Sequence, residues 1–191
     1  MKVAVIKYNA GNIRSVDYAL KRLGVEAVIT SDKEVLKAAD KVIFPGVGEA
    51  ETTMLHLKES GMDRFIKELR QPVLGICLGC LLYTSDAADE GIFDTDVKRF
   101  APRKHEEKVP HMGWNTISCL KSDLFKGFTR DEFVYFVHSY YVPVSEFTAA
   151  ETDYIRPFSA ALHKDNFYAT QFHPEKSGEA GERIIKNFLE L

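Results

Sequence analysis

The sequence predicts an α/β fold, a mostly parallel sheet covered on both faces by helices, with an added mixed or antiparallel portion, in one domain over residues 1–191. Two observations predict it. Up to residue 76, short apolar runs alternate with helical stretches, the pattern of strands buried on both faces. From 92 to 171 the composition shifts toward Phe, Tyr, Val and Thr in closely spaced extended segments, which suits strands joined without intervening helices.

Taken in order, residues 2–6 read as a buried strand. Gly11-Asn12 then opens a helix in which Ile13, Val16, Leu20 and Leu23 recur at helical spacing, and Gly24 supplies its stop signal. Further strands are expected at 25–29, 41–44 and 72–76, separated by helical stretches at 31–39 and 50–70. In the second half, extended segments are expected at 97–100, 133–137, 148–153 and 167–171. An amphipathic helix over 178–191 closes the chain and buries Ile184, Ile185, Phe188 and Leu189. No internal repeat or low-complexity linker divides it.

A chain of 191 residues that is 45% hydrophobic can bury one sizeable core. The formal net charge of −3 supplies no broad basic field for a phosphate backbone, so nucleic acid is not an expected partner. No apolar run approaches the roughly 20 residues that span a bilayer, and the first six residues are too short and strand-like for a signal peptide. A cytoplasmic location without membrane contact is expected. The three cysteines, Cys77, Cys80 and Cys119, lack the paired spacing and histidine cluster of a zinc site. Neither a metal nor a disulfide framework is expected. A lone cysteine is ordinarily a small buried hydrophobe, so its context must decide its role.

Gly75-Ile76-Cys77-Leu78-Gly79 follows an apolar strand and has the small-residue spacing of a nucleophile elbow centred on cysteine. A sharp strand-to-helix turn crowds the backbone, and glycines two positions either side relieve that crowding. The turn lifts the thiol above the C-terminal edge of the sheet, where open α/β folds bind ligands. A helix N-terminus there favours an anionic sulfur. Far downstream, Phe172-His173-Pro174-Glu175 follows the extended run 167–171. Side chains at i and i+2 of an extended segment share a side, so Glu175 can hold the His173 imidazole in one tautomer while the other nitrogen exchanges a proton with Cys77. Phe44-Pro45-Gly46-Val47-Gly48 ends another strand. Its backbone N–H groups, that of Val47 among them, together with that of Leu78, can form an oxyanion hole.

These residues resemble the class I (triad) glutamine amidotransferases, whose Cys, His and Glu match Cys77, His173 and Glu175 in the same order over nearly the whole chain. Tyr8-Asn9-Ala10-Gly11-Asn12, Pro45-Gly46-Val47-Gly48, Pro110-His111-Met112-Gly113-Trp114-Asn115, Phe136-Val137-His138-Ser139-Tyr140 and Phe172 to Ser177 look like the histidine-biosynthesis branch. The Pro-His-Met-Gly-Trp-Asn stretch discriminates most sharply. The resemblance implies a flavodoxin-like three-layer fold, glutamine as substrate, and no metal or organic cofactor. It implies a glutaminase subunit in a heterodimer with the cyclase (β/α)8-barrel subunit of imidazole glycerol phosphate synthase, the ammonia passing internally between the two. It further implies that Gly46, Gly48, Ser139 and Tyr140 help hold glutamine and that Asn12, His111, Met112, Trp114 and Lys176 lie near the partner.

One stretch departs from the family. Gly79 is followed by Cys80-Leu81-Leu82-Tyr83-Thr84-Ser85-Asp86-Ala87-Ala88-Asp89-Glu90, where the family has Met-Gln, and the segment before Gly91 is several residues shorter than usual. The glutamine that usually positions the substrate is missing. Residues 82–90 resemble translated sequencing-adapter sequence, so 80–90 is read as a segment foreign to the natural protein. The expectation is a retained fold with impaired glutaminase activity. Two alternatives remain open: a glutaminase subunit for another synthase, such as anthranilate or pyridoxal phosphate synthase, and a silent module that only binds its partner.

Overall fold

The computed structural model describes residues 1–8, 12–46, 50–77, 92–129 and 132–191. In the first half, strands β1 (Val3–Ile6), β2 (Ala27–Thr30), β3 (Lys41–Phe44) and β4 (Val73–Ile76) alternate with helices α1 (Ile13–Arg22), α2 (Lys33–Lys37), α3 (Ala50–Ser60) and α4 (Met62–Glu68). The second half holds β5 (Lys98–Arg99), β6 (His111–Thr116), β7 (Phe133–His138), β8 (Tyr140–Tyr141), β9 (Thr148–Asp153), β10 (Pro157–Lys164) and β11 (Phe167–Thr170). Helix α5 (Gly178–Glu190) closes the fold.

A seven-stranded sheet runs in the order β2-β1-β3-β4-β11-β10-β9. Its first five strands are parallel, and β10 and β9 extend it antiparallel. The pleat explains how one short strand serves two layers: Val3 and Val5 enter the apolar cluster on one face, and Ala4 and Ile6 enter the cluster on the other. β3 divides likewise, Ile43 to the first and Val42 and Phe44 to the second. Each such fully buried Val, Ile or Phe contributes about 1.5–3 kcal/mol relative to exposure. α1 covers the first face with Val16, Ala19 and Leu20, and α5 adds Ile184, Ile185, Phe188 and Leu189, as expected from their spacing.

The expected helix over 50–70 is two helices. Gly61 adopts φ +62°, a left-handed conformation that stops α3 and starts α4 in a new direction. Asp32 caps α2 by accepting from the N–H groups of Glu34 (2.9 Å) and Val35 (3.4 Å). The second half contains two long strands that the expected set lacks. β10 begins at a proline and is rich in alanine and serine, and β6 carries Gly113 at φ +137°; both compositions score poorly as strands. β6 pairs antiparallel with β7 from His111↔His138 to Thr116↔Phe133 as a separate ribbon. The expected strand at 97–100 shrinks to the two residues of β5, paired with β8.

What positions the site is the placement of β11. It lies beside β4, in parallel, with Thr170 opposite Ile76. The residues after both strands, Cys77 and Gln171 to His173, therefore emerge side by side at one edge.

Candidate active site

Cys77 is the first residue past β4 and holds φ +54°, a left-handed conformation rare for any residue other than glycine. Its N–H donates to the Thr170 carbonyl at 2.7 Å, which fixes the turn against β11. The residue is 6% exposed. Its Sγ lies 4.0 Å from the Val137 carbonyl, and the Gln171 amide Nε2 donates toward it at 3.8 Å. The elbow geometry expected for this cysteine is therefore present up to Cys77. Leu78, Val47 and Gly48, to which the oxyanion hole and part of the glutamine contact were assigned, lie outside the described residues, as does 80–90. Gly46 is described and buried after β3, and the Tyr8 hydroxyl donates to the neighbouring Pro45 carbonyl.

His173 is fully buried, and its Nδ1 meets Glu175 Oε1 at 2.7 Å. The route to this contact differs from the expected one. β11 ends at Thr170, and Pro174–Lys176 forms a 3-10 turn with Pro174 at its start. Glu175 reaches the imidazole from within that turn, not from an extended strand. Asn12 completes the cluster: its Nδ2 donates to Glu175 Oε1 and sits 3.4 Å from His173 Nδ1. With the carboxylate accepting at Nδ1, the tautomer that leaves Nε2 for chemistry is fixed. Nε2 is buried and no hydrogen bond of ordinary geometry reaches it from the described residues. Burial, the largest single influence, disfavours the imidazolium, but the nearby Cys77 and the Glu175 carboxylate outweigh it and raise His173 to about 9. Such an imidazole is a strong acceptor for a thiol proton.

Two further histidines pack behind the site. His138 Nδ1 meets the Tyr140 carbonyl at 2.6 Å and its Nε2 lies 3.1 Å from His111 Nδ1. The His111 ring is stacked between Phe136 (4.8 Å) and Tyr154 (4.0 Å). Burial lowers His111 to about 4. Burial, with the charges of His111 and His173, lowers His138 to about 3 against the opposing pull of the Tyr140 carbonyl. Both are thus neutral in the folded chain at neutral pH.

A histidine held neutral contributes stability that is present above its unfolded value near 6.5 and is lost as pH falls toward its folded value. His173 has the opposite sign: its contribution is complete below 6.5 and is lost as pH rises through 9. From pH 7 to pH 5 the two neutral histidines are expected to cost on the order of 3 kcal/mol of unfolding free energy. Urea midpoints measured across that range in the native chain and in His111→Phe check this. The variant is expected to flatten the slope, and an unchanged slope would count against the assignment.

Ser139 is half-buried between β7 and β8, and Tyr140, the first residue of β8, is exposed; both lie just beyond the carbonyl that faces Cys77. Met112, Trp114 and Lys176, expected near a partner, are exposed, the first two at 63% and 55%. Asn12 and His111, expected there too, are buried at 4% each. Within the chain, Asn12 binds the Glu175 carboxylate and His111 lies in the aromatic stack. The residues missed in the sequence are Gln171 and His138. Their signal was weak: each is a polar residue at the end of an otherwise apolar strand.

Among the described residues no group of three or more His, Cys, Asp or Glu is gathered as a metal site, and no helix is long and apolar enough to cross a membrane.

Residues 4–191 match the family model of glutamine amidotransferase class-I. The chain is 92% identical to an imidazole glycerol phosphate synthase subunit HisH of Bacteroides fragilis, with full coverage of both. That alignment spans 196 positions against 191 residues here, so some positions of the relative have no counterpart in this chain. Identity is 74% to the HisH of Bacteroides thetaiotaomicron, again over both full lengths, and 42% to that of Vibrio parahaemolyticus, over all of this chain and 98% of the relative. Among solved structures, a putative GMP synthase component of Thermoplasma acidophilum superposes with a TM-score of 0.78 at 22% identity, covering 100% of this chain and 93% of that one. A glutamine amidotransferase superposes at 0.74, also at 22% identity, over 100% and 98%. Those two likenesses show the fold; the sequence matches show that the chain belongs to the class I glutamine amidotransferases, in the family of the HisH subunits of imidazole glycerol phosphate synthase.

Proposed function

We propose that this chain, as one domain, is the glutaminase subunit of imidazole glycerol phosphate synthase, hydrolysing glutamine to glutamate and ammonia. It works in a heterodimer with a cyclase (β/α)8-barrel subunit, which uses the ammonia to form imidazole glycerol phosphate and an aminoimidazole carboxamide ribotide. The observation that carries the reading is the His173 Nδ1–Glu175 Oε1 contact of 2.7 Å beside a cysteine at a left-handed strand end.

The Cys77 sulfur attacks the carboxamide carbon of glutamine while His173 Nε2 takes the thiol proton. The oxygen of the tetrahedral intermediate is held by backbone N–H groups of Val47 and Leu78, where one such donor is worth about 3 kcal/mol. His173 returns the proton to the departing nitrogen, and ammonia leaves a glutamyl thioester on Cys77. The imidazole then draws a proton from water, whose oxygen attacks the thioester carbon, and delivers it to the sulfur as glutamate departs. Glu175, held by Asn12, keeps the ring oriented and stabilises its cationic form. Gly46, Gly48, Ser139 and Tyr140 seat the substrate. Internal transfer to the cyclase keeps ammonia from protonation in bulk water, since ammonium is not a nucleophile.

A second reading, a chain that folds and binds the cyclase but turns over glutamine poorly, rests on the atypical 80–90 segment alone and is not favoured by the HisH relatives, and neither is a subunit of another synthase. Glutamate release, measured with and without the cyclase subunit, decides between them. Exchanging 80–90 for the corresponding residues of the Bacteroides fragilis relative is expected to raise release about ten-fold or more, because small displacements of reacting groups are costly. Equal turnover before and after the exchange would remove the second reading.

A further inference from the structure

His173 is held at both ends of its own backbone. Its N–H donates to the Tyr135 carbonyl at 2.8 Å, and its carbonyl accepts the Ser177 hydroxyl at 2.6 Å. The Ser177 oxygen in turn accepts the N–H of Tyr135 at 2.9 Å. Tyr135, His173 and Ser177 thus close a ring of three hydrogen bonds. Ser177 is 2% exposed, so the ring is closed off from solvent and each bond in it is hard to replace.

A local role in chain reversal does not account for this hydroxyl. The turn and the start of α5 use the Ser177 backbone: its N–H donates to Pro174, and its carbonyl accepts from Gly181. Any residue supplies those groups. The side chain is spent wholly on joining Tyr135 to His173.

Tyr135 leads outward. It lies on β7, and its ring meets Trp114 edge-on at 5.8 Å. Trp114 and Met112 are exposed on β6, the partner strand of β7. Two residues on from Tyr135, the Val137 carbonyl faces Cys77 Sγ. One ribbon therefore carries an exposed apolar face, a neighbour of the nucleophile and, through Ser177, the anchorage of the base.

We propose that Ser177 is a positioning residue that transmits the seating of a partner subunit on the Met112–Trp114 face to His173, an inference that rests on the glutaminase-subunit reading. Ser177→Ala and Ser177→Cys test it in the full chain, free and bound to the cyclase subunit. Cysteine nearly keeps the volume but is a weak donor, so it separates the hydroxyl from the space it fills. In the complex, kcat for glutamate release is expected to fall about ten-fold or more in both, with KM for glutamine within about two-fold and the stimulation by the cyclase reduced in proportion. Hydrogen exchange across 171–177 gives a readout independent of turnover: cyclase binding is expected to slow it in the native chain and to leave it unslowed in the variants.

Native stimulation and native slowing of exchange in either folded variant would overturn the proposal. So would equal loss of free and complexed activity, or failure of both variants to fold by circular dichroism, each of which assigns Ser177 to the scaffold alone. A native chain without glutaminase whose exchange still responds to the cyclase only when Ser177 is intact defeats the catalytic reading and leaves the coupling standing. An active native chain with indifferent variants defeats the coupling alone.

Discussion

Replacing Cys77 with alanine is expected to lower glutamate release in the cyclase complex by about 10⁴-fold or more, since nothing else described near the site can form the thioester. Val137, Gln171 and His173 lie about the sulfur, and none of them carries a thiol. Glu175→Gln separates the roles within the triad. It keeps the size of the side chain, and its amide oxygen can still accept from Asn12 or His173, but the charge that supports the imidazolium is gone. A drop of about 10²–10³-fold in kcat is expected, smaller than that for Cys77→Ala, with the basic limb of the pH profile moved downward as the His173 value falls from about 9. A Glu175→Gln variant with native kcat would show that the carboxylate only braces the fold. Steady-state kinetics over pH 6 to 10 distinguishes these outcomes.

The second large effect lies away from the reacting atoms. A Cβ added at Gly181 would stand 1.8 Å from the Pro174 carbonyl oxygen and 2.7 Å from its carbon. Both are backbone atoms of the turn that carries Glu175, so no rotamer change relieves the overlap. Alanine gains about 1 kcal/mol of helix propensity over glycine, but separating α5 from the turn sacrifices packing along Ile184, Ile185 and Phe188. The clash wins. Gly181→Ala is expected to destabilise the chain by about 3 kcal/mol or more. In the molecules that remain folded, a displaced Glu175 is expected to cost about 100-fold in kcat. Thermal unfolding and glutamate release measure the two losses separately. Native values in both would mean that the helix and turn part without consequence.

These effects show what the linear order disclosed. β1, β3, β4 and α5 were legible because their residues are apolar at the period of the element and buried where that period points. Cys77 stood out because glycines flank it, and His173 because a carboxylate stands two residues on after an extended run, with the elbow upstream. The mutual placement of strands was not legible. Nothing local in 167–170 says that this segment lies beside β4 and not at an edge of the sheet, and that neighbourhood is decided by the whole core. The contacts of Asn12 and His111 within the chain were not legible, for a related reason. A polar residue in a short motif suits a partner surface and a buried network equally well until its neighbours are known. Here Asn12 is committed to Glu175, and His111 to two aromatic rings and a second imidazole.

The sheet order bears on biogenesis. β11 separates β4 from β10, so a ribosome-bound chain that has not yet released its C-terminal stretch has a vacant slot at the middle of its largest sheet. The flank of β4 then offers unsatisfied backbone groups to any stray strand. Filling that slot and bringing the imidazole to the sulfur are one event. Half-made molecules would therefore be both adhesive and chemically inert, and the finished tail would end both conditions at once.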